Sequence, residues 1–180
     1  MMNPLTIIDK YYNEDAALRR ILIVHSKAVA DKALALARLN PSLNLDEEFI
    51  YEAAMLHDIG IIRCDAPGIL CHGTAPYICH GMMGAEMLRS EGLPRHARVC
   101  ERHTGAGITA EEIRQQQLPL PERDFLPETL EECLICYADK FFSKTRLERE
   151  KTTDQAIHSL EKFGTAGVAR FLKWKEMFEP

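Results

Sequence analysis

Ala53-Ala54-Met55-Leu56-His57-Asp58-Ile59-Gly60 decides how this chain is read. An apolar helical face ends there in an imidazole and a carboxylate side by side, followed by a glycine. Ile50, Ala53, Ala54 and His57 recur at helical spacing, which aims His57 along the core-facing stripe. Asp58 then lies about 100° further round. Gly60 fits the left-handed position just past a helix end. Two polar groups at the end of a buried helix are costly unless a partner compensates them, and a bound cation would do so. On its own the pair also fits a helix terminus with a histidine near the dipole and a solvated aspartate. The rest of the chain decides between the two.

Upstream, Asn3-Pro4 is a helix start, with proline where its missing N–H does no harm. Leu5, Ile8 and Tyr12 share one face of that helix. A longer helix is expected from about Glu14 to Leu39, with Val29, Ala33, Leu36 and Ala37 on one side and Asn40-Pro41 at its end. His25 lies within it. Asp46 is the expected N-cap of the helix that carries the His-Asp pair, and Leu45 can staple onto Ile50.

Downstream, residues 61–74 hold Pro67, two glycines and no period, and are expected to form a functional loop, a lid or pocket wall. His80 precedes a short helix through Ala85, Leu88 and Arg89, closed by Gly92. Pro94 starts another, in which Val99 and His103 share a face. Thr109–Glu112 and Thr129–Glu132 are capping boxes opening two further helices, with a proline-rich connector between them. The second is expected to turn Leu130, Leu134, Tyr137, Ala138 and Phe141 inward and to carry Asp139 and Lys140 near its end. A charged turn from Arg146 to Lys151, whose Glu148–Lys151 run is read as solvated, leads to two final helices ending near Gly164 and Phe178. No alternating strand pattern stands out. The fold class is therefore all-α.

A chain of 180 residues with 46 % apolar and 27 % charged side chains is globular and can bury a real core. Its net charge of −5, with scattered lysines and arginines, lacks the basic stripe that a nucleic-acid polymer needs. The N-terminus shows no targeting pattern, and the aliphatic run Ile21–Val24 is far too short to span a membrane. A soluble cytoplasmic protein is expected. Cys64, Cys71, Cys79, Cys100, Cys133 and Cys136 are then free thiols. Cys133-Leu-Ile-Cys136 has the spacing of a zinc hook but lies within a helix, without a second pair. His96 and His158 read as surface residues.

The candidate metal ligands are His25, His57, Asp58, His80, His103 and Asp139, drawn from five helical segments. Four imidazoles and two carboxylates suit a pair of first-row transition metals, because calcium and magnesium favour all-oxygen sites. A carboxylate such as Asp58 can bridge two cations.

This ordered set resembles the HD-domain superfamily of metal-dependent phosphohydrolases, and His57-Asp58-Ile59-Gly60 matches its HDIG variant. The segments around His80-Gly81, His103-Thr104-Gly105 and Tyr137-Ala138-Asp139-Lys140 are similar to a small single-domain branch that includes the bacterial di-iron diadenosine-tetraphosphate hydrolases. The resemblance implies one HD-type domain over 1–180: a helical bundle whose motif-bearing core covers about 20–145, with C-terminal helices over 153–178 packed on it. It implies His25, His57, Asp58 and Asp139 around one metal, and Asp58, His80 and His103 around the other. Several HDIG enzymes carry a phosphate-binding lysine where this chain has Ile61, so the anion contact falls to other residues.

The expected activity is hydrolysis of a small phosphate ester, a nucleotide by preference. Two divalent ions, iron first, with manganese, zinc, nickel or cobalt as alternatives, would lower the pKa of a bridging water toward ~7 for attack on phosphorus. Asp58, Lys140 and His72 are the catalytic candidates, His72 as the acid for the leaving alkoxide. Lys140, Lys144 and Arg63 are the phosphate-binding candidates. No membrane partner is expected, and a homo-oligomer is left open. A non-catalytic nucleotide sensor and a di-iron oxygenase of the same fold are the competing readings.

Overall fold

The structure, a computed structural model, describes residues 2–179. Helix α1 (Pro4–Tyr12) starts at Asn3, whose side chain accepts from the Leu5 amide, and Asp15 caps α2 (Ala16–Leu39) through the Leu18 amide. Asp46 caps α3 (Glu47–Leu56) through the Phe49 amide. Helices α4 (His80–Ser90) and α5 (Pro94–Arg102) follow, joined through Gly92 in the left-handed region. Both expected capping boxes form, at the starts of α6 (Ala110–Gln116) and α7 (Leu130–Asp139). A third, at Thr152 and Gln155, opens α8 (Thr153–Leu160), and α9 (Thr165–Phe178) ends the described chain. None of these helices is long and apolar enough to cross a membrane.

The fold is all-α. Helices α2, α3, α5 and α7 pack on one another, α1 lies across α2 and α3, α4 covers α5, and α9 closes over α2 and α7. A continuous apolar core runs from Ile8 in α1 to Phe178 in α9 through Leu22, Ile50, Leu56, Leu88, Leu134 and Phe171. Full burial of each such side chain contributes roughly 1.5–3 kcal/mol. Tyr137 sits in an aromatic cluster with Phe141, Phe171 and Phe178. Asn40 ties the ends of α2 and α9 together by donating to the carbonyls of Leu36 and Phe178, both at 2.9 Å.

The segment after the His-Asp pair differs from the aperiodic loop expected. Residues Ile59–Arg63 form a 3₁₀ turn, and a small sheet follows. Strand β1 (Cys64–Ala66) pairs antiparallel with β2 (Cys71–His72) and parallel with β3 (Ala75–Pro76). Strands this short cannot display a two-residue period, so nothing in the sequence announced them.

Gly60 also has a different reason to be glycine. It is not in the left-handed region; a Cβ there would stand 2.1 Å from the His80 carbonyl oxygen and 2.3 Å from the Gly84 amide nitrogen. Gly60 and Gly84 thus let the turn and α4 approach backbone to backbone. Leu130, expected inward, is 37 % exposed because it is the first residue of α7, beyond the edge of the core.

His96, expected at the surface, is buried: its Nε2 lies 3.1 Å from Glu52 Oε2 and its ring meets the edge of Phe49. Burial lowers its pKa below 6.5, against the opposing pull of Glu52. The folded state therefore binds this proton less readily than the unfolded chain, so stability is full above pH ~6.5 and falls as the pH drops below it. We expect His96→Gln to flatten the acid limb of the stability profile relative to the parent in urea titrations between pH 4.5 and 7.5. Superimposable differences at every pH would refute this.

Candidate metal centre

The six ligand candidates come from helix ends or helix interiors that face one another. His25 lies inside α2 on the buried stripe of Leu18, Leu22, Ser26 and Val29. His57 and Asp58 follow the last turn of α3, His80 opens α4, His103 follows α5, and Asp139 ends α7. Their burial is nearly complete, with His57 and Asp58 at 0 % exposure.

Three of the histidines are oriented by their own helices. The Nδ1–H groups of His57, His80 and His103 donate to the carbonyls of Ala54, Tyr77 and Cys100, each three residues earlier and each at 2.6 Å. A carbonyl accepts only from a protonated nitrogen, so Nε2 is the atom each ring turns to the interior, and it carries a lone pair whenever the ring is neutral. Tyr77 also stacks on His80 with centroids 4.6 Å apart. Tyr12 secures the turn beneath: its hydroxyl donates to the Ile59 carbonyl at 2.7 Å and accepts from the Ile62 amide at 3.2 Å. Neither tyrosine was picked out for the site from the sequence. Tyr12 read as an ordinary member of a helical stripe, and Tyr77 falls between the loop read over 61–74 and the helix read from His80.

Two groups of ligand atoms result, each closing to within 4.8 Å: His25, His57, Asp58 and Asp139, and Asp58, His80 and His103. Asp58 belongs to both. Its Oδ2 is 3.0 Å from the Nε2 atoms of His25 and His57, and its Oδ1 is 3.3 Å from those of His80 and His103. Asp139 Oδ1 is 3.0 Å from His25 Nε2 and 3.3 Å from His57 Nε2.

These residues fit a pair of divalent cations. Both Asp58 oxygens are fully buried among imidazoles without a well-formed hydrogen bond, and the Lys144 ammonium beside Oδ2 is the cation that faces them. His80 Nε2 and His103 Nε2 face each other at 3.0 Å, and with both Nδ1 atoms protonated that is one lone pair against another. A cation between them removes the repulsion. The donor set, imidazole with carboxylate, suits iron, manganese, zinc, nickel or cobalt.

Charge follows the same geometry. Burial opposes ionisation of Asp58 but is outweighed by His57 and Lys144, which hold its carboxyl well below the usual range. Burial likewise works against protonated His57, but Asp58 and Asp139 raise it to about 10. Burial wins at His103 and lowers it to about 4. The Cys100 thiol, pushed up by burial, donates to the His57 carbonyl at 2.8 Å. Cys136, raised to about 12 by burial, donates to the His103 carbonyl at 3.3 Å. Among the described residues, Cys133 and Cys136 belong to no group of candidate metal ligands.

A cleft of about 470 Å3 opens onto the cluster, walled by Tyr77, His80, His103, Asp139, Lys140 and Lys144 and also lined by Lys151, Lys162 and Phe163. Lys140 donates to Asp139 Oδ2 at 2.7 Å and to the His103 carbonyl at 3.0 Å, bracing two ligand segments at once. Lys144 places its ammonium 2.5 Å from Asp58 Oδ2.

Two of the expected contributors lie elsewhere. Arg63 is exposed, 3.7 Å from Glu86, and His72 is exposed on β2; neither lines the cleft. For His72 the cause is strand alternation: Cys71 takes the inward face, and its neighbour must point out.

A helical bundle whose segment ends converge in a divided histidine–aspartate cluster defines the class. The chain belongs to the HD domain family, whose profile matches residues 22–143. It is 40 % identical over 145 residues to an uncharacterised protein of Methanocaldococcus jannaschii, covering 78 % of this chain and 76 % of that protein. It is 36 % identical over 128 residues to a tRNA (cytidine(56)-2'-O)-methyltransferase of Picrophilus torridus, covering 71 % of this chain but 33 % of that protein. A namesake from Thermoplasma volcanium is 36 % identical over 135 residues, covering 74 % of this chain and 35 % of that protein. This chain thus spans about a third of either methyltransferase. Among solved structures, the HD domain of the L. monocytogenes phosphodiesterase PgpH shares the fold, with a TM-score of 0.55 and 16 % identity over 94 % of this chain and 84 % of that one.

Proposed function

We propose that this protein hydrolyses a small phosphate ester, a nucleotide by preference, with two divalent transition-metal ions. The observation behind this reading is the Asp58-centred pair of ligand groups, which a lysine-walled cleft reaches at His80, His103 and Asp139. Membership of the HD domain family supports phosphohydrolase chemistry at the level of the superfamily. The activity named for the two methyltransferases belongs to proteins of which this chain matches about a third, so methyl transfer does not follow for it.

In this reading His25, His57, Asp58 and Asp139 hold one ion, and Asp58, His80 and His103 hold the other, iron being our first choice. Bound there, the pair supplies Lewis acidity toward a phosphoryl oxygen and acidifies water toward pKa ~7. The protein's own groups do the rest. Lys140 positions Asp139 and the His103 segment. Lys144, whose present partner is Asp58, stands on the cleft wall where a phosphate offers it a second anionic partner, and it faces charge developing on the transferred group. The stacked Tyr77 ring keeps His80 turned inward and walls off water on that side. The similarity to diadenosine-tetraphosphate hydrolases makes dinucleoside polyphosphates the first substrates to try, and a cytoplasmic setting would supply them.

The test is elemental analysis of anaerobically purified protein, followed by a nucleotide and phosphate-ester screen with the metal found. We expect about two ions per chain and phosphate release that a chelator stops. Tight nucleotide binding without product would instead make the protein a sensor, and dioxygen uptake without phosphate release an oxygenase.

A further inference from the structure

Next to the cleft lies a second cavity of about 360 Å3, lined by Ser143, Thr145, Arg146, Arg149, Lys151 and Gln155. Ser143, Thr145 and Lys151 line both cavities, so the two share a wall. Its chemistry is unusual for this molecule. The net charge is −5, and cations elsewhere are largely neutralised: Lys32 by Glu150, Arg98 by Glu128 and Glu132, Arg114 by Glu111, Arg170 by Glu112. Among the described residues, Arg146, Arg149, Lys151 and Lys162 have no carboxylate within 4.0 Å. Glu150, in the same turn, is turned away onto Lys32, and Glu148 does not line the cavity.

The backbone fixes this arrangement. The Lys151 amide donates to the Phe141 carbonyl at 2.8 Å, which folds the turn back over the end of α7, and the capping box at Thr152 starts α8 immediately after it. Lys151 is half-buried at the shared wall. Burial lowers its pKa, and Lys140, Lys162 and Lys144 add to this against the opposing pull of Asp139, so the positive charge is held there against net repulsion. Uncompensated like charges around a cavity stay costly until an anion enters, and guanidinium groups make their strongest contacts with phosphate.

We propose that the Arg146–Arg149–Lys151 cavity is a subsite for a second phosphate of the substrate, beyond the one lying over the metal centre. The preferred substrate is then an oligophosphate rather than a monophosphate ester. Lys151 lines both positions, and Lys162 lines the cleft side alone. The proposal rests on the phosphate-binding reading of the cleft and deepens it.

The test is calorimetric titration of metal-loaded protein with two probes: inorganic phosphate and a methylene-bridged triphosphate that resists hydrolysis. The parent should bind the triphosphate at least about tenfold more tightly than phosphate. Arg146→Gln/Arg149→Gln, both exposed positions, should remove that advantage while phosphate binding changes less than about twofold. Arg20→Gln/Lys173→Gln, which removes the same charge from exposed positions elsewhere, should leave it intact. Equal binding of both probes by the parent overturns the subsite, as does an unchanged preference in the arginine variant. Equal losses in the two double variants would mean that only the overall field matters, and would overturn it as well. A short single-stranded oligonucleotide that displaced the triphosphate more effectively than a nucleoside triphosphate would assign the arginines to a nucleic-acid backbone instead. If the triphosphate result holds but no substrate is turned over, the subsite stands and the hydrolase reading falls.

Discussion

Asp58→Asn is expected to strip the centre of metal and to end turnover while leaving the helices in place. Oδ2 of Asp58 faces His25 and His57, and Oδ1 faces His80 and His103, so the one carboxylate serves both halves of the cluster. An amide keeps one neutral acceptor and turns an NH2 toward lone pairs that need a cation. Metal content should fall from about two ions to below one, and turnover by about a thousandfold or more, equivalent to ~4 kcal/mol of lost transition-state stabilisation. Far-UV circular dichroism should match the parent's. Full activity, or full metal content, would refute the role given to Asp58.

A larger structural effect should follow a substitution that changes no charge. In Gly60→Ala the new Cβ would meet the His80 carbonyl oxygen at 2.1 Å and the Gly84 Cα at 2.8 Å, all backbone with no flexible side chain to yield. Either the turn or α4 must shift, and His80 sits at the displaced end. Overpacking against backbone costs about 3 kcal/mol or more. For a chain of this size that is roughly a 6–12 °C drop in thermal midpoint. A midpoint within about 2 °C of the parent would show that α4 can slide without penalty.

How much could be read in advance depended on whether the signal was local. The capping residues Asn3, Asp46, Thr109 and Thr129 act within one turn, and the helices they start are where the sequence puts them. The His-Asp pair and its distant companions were legible because metal ligands are few residue types at helix ends, and the fold brings those named from the sequence into one cluster. Pairwise tertiary contacts were not legible. Nothing near His96 announces Glu52, and nothing beside Gly60 announces Gly84. The turn at Arg146–Lys151 read as charged, with its Glu148–Lys151 run solvated, because charge runs usually are. Its arginines became notable only once the structure showed no acid beside them and a cavity in front. His72 and Arg63 were drawn in by nearness in sequence to the His-Asp pair, and strand alternation and exposure take them out.

Three imidazoles anchored to carbonyls of their own helix ends have a kinetic consequence. Each donor is aimed by a bond that spans only three residues and uses the ring nitrogen opposite the one offered to a metal, so the aim does not depend on the ion. Loading should therefore be quick and nearly motionless, and swapping one divalent ion for another should leave the scaffold's shape alone while retuning only reactivity. Selectivity for a particular element would then reside in cellular supply rather than in the rigidity of the cage.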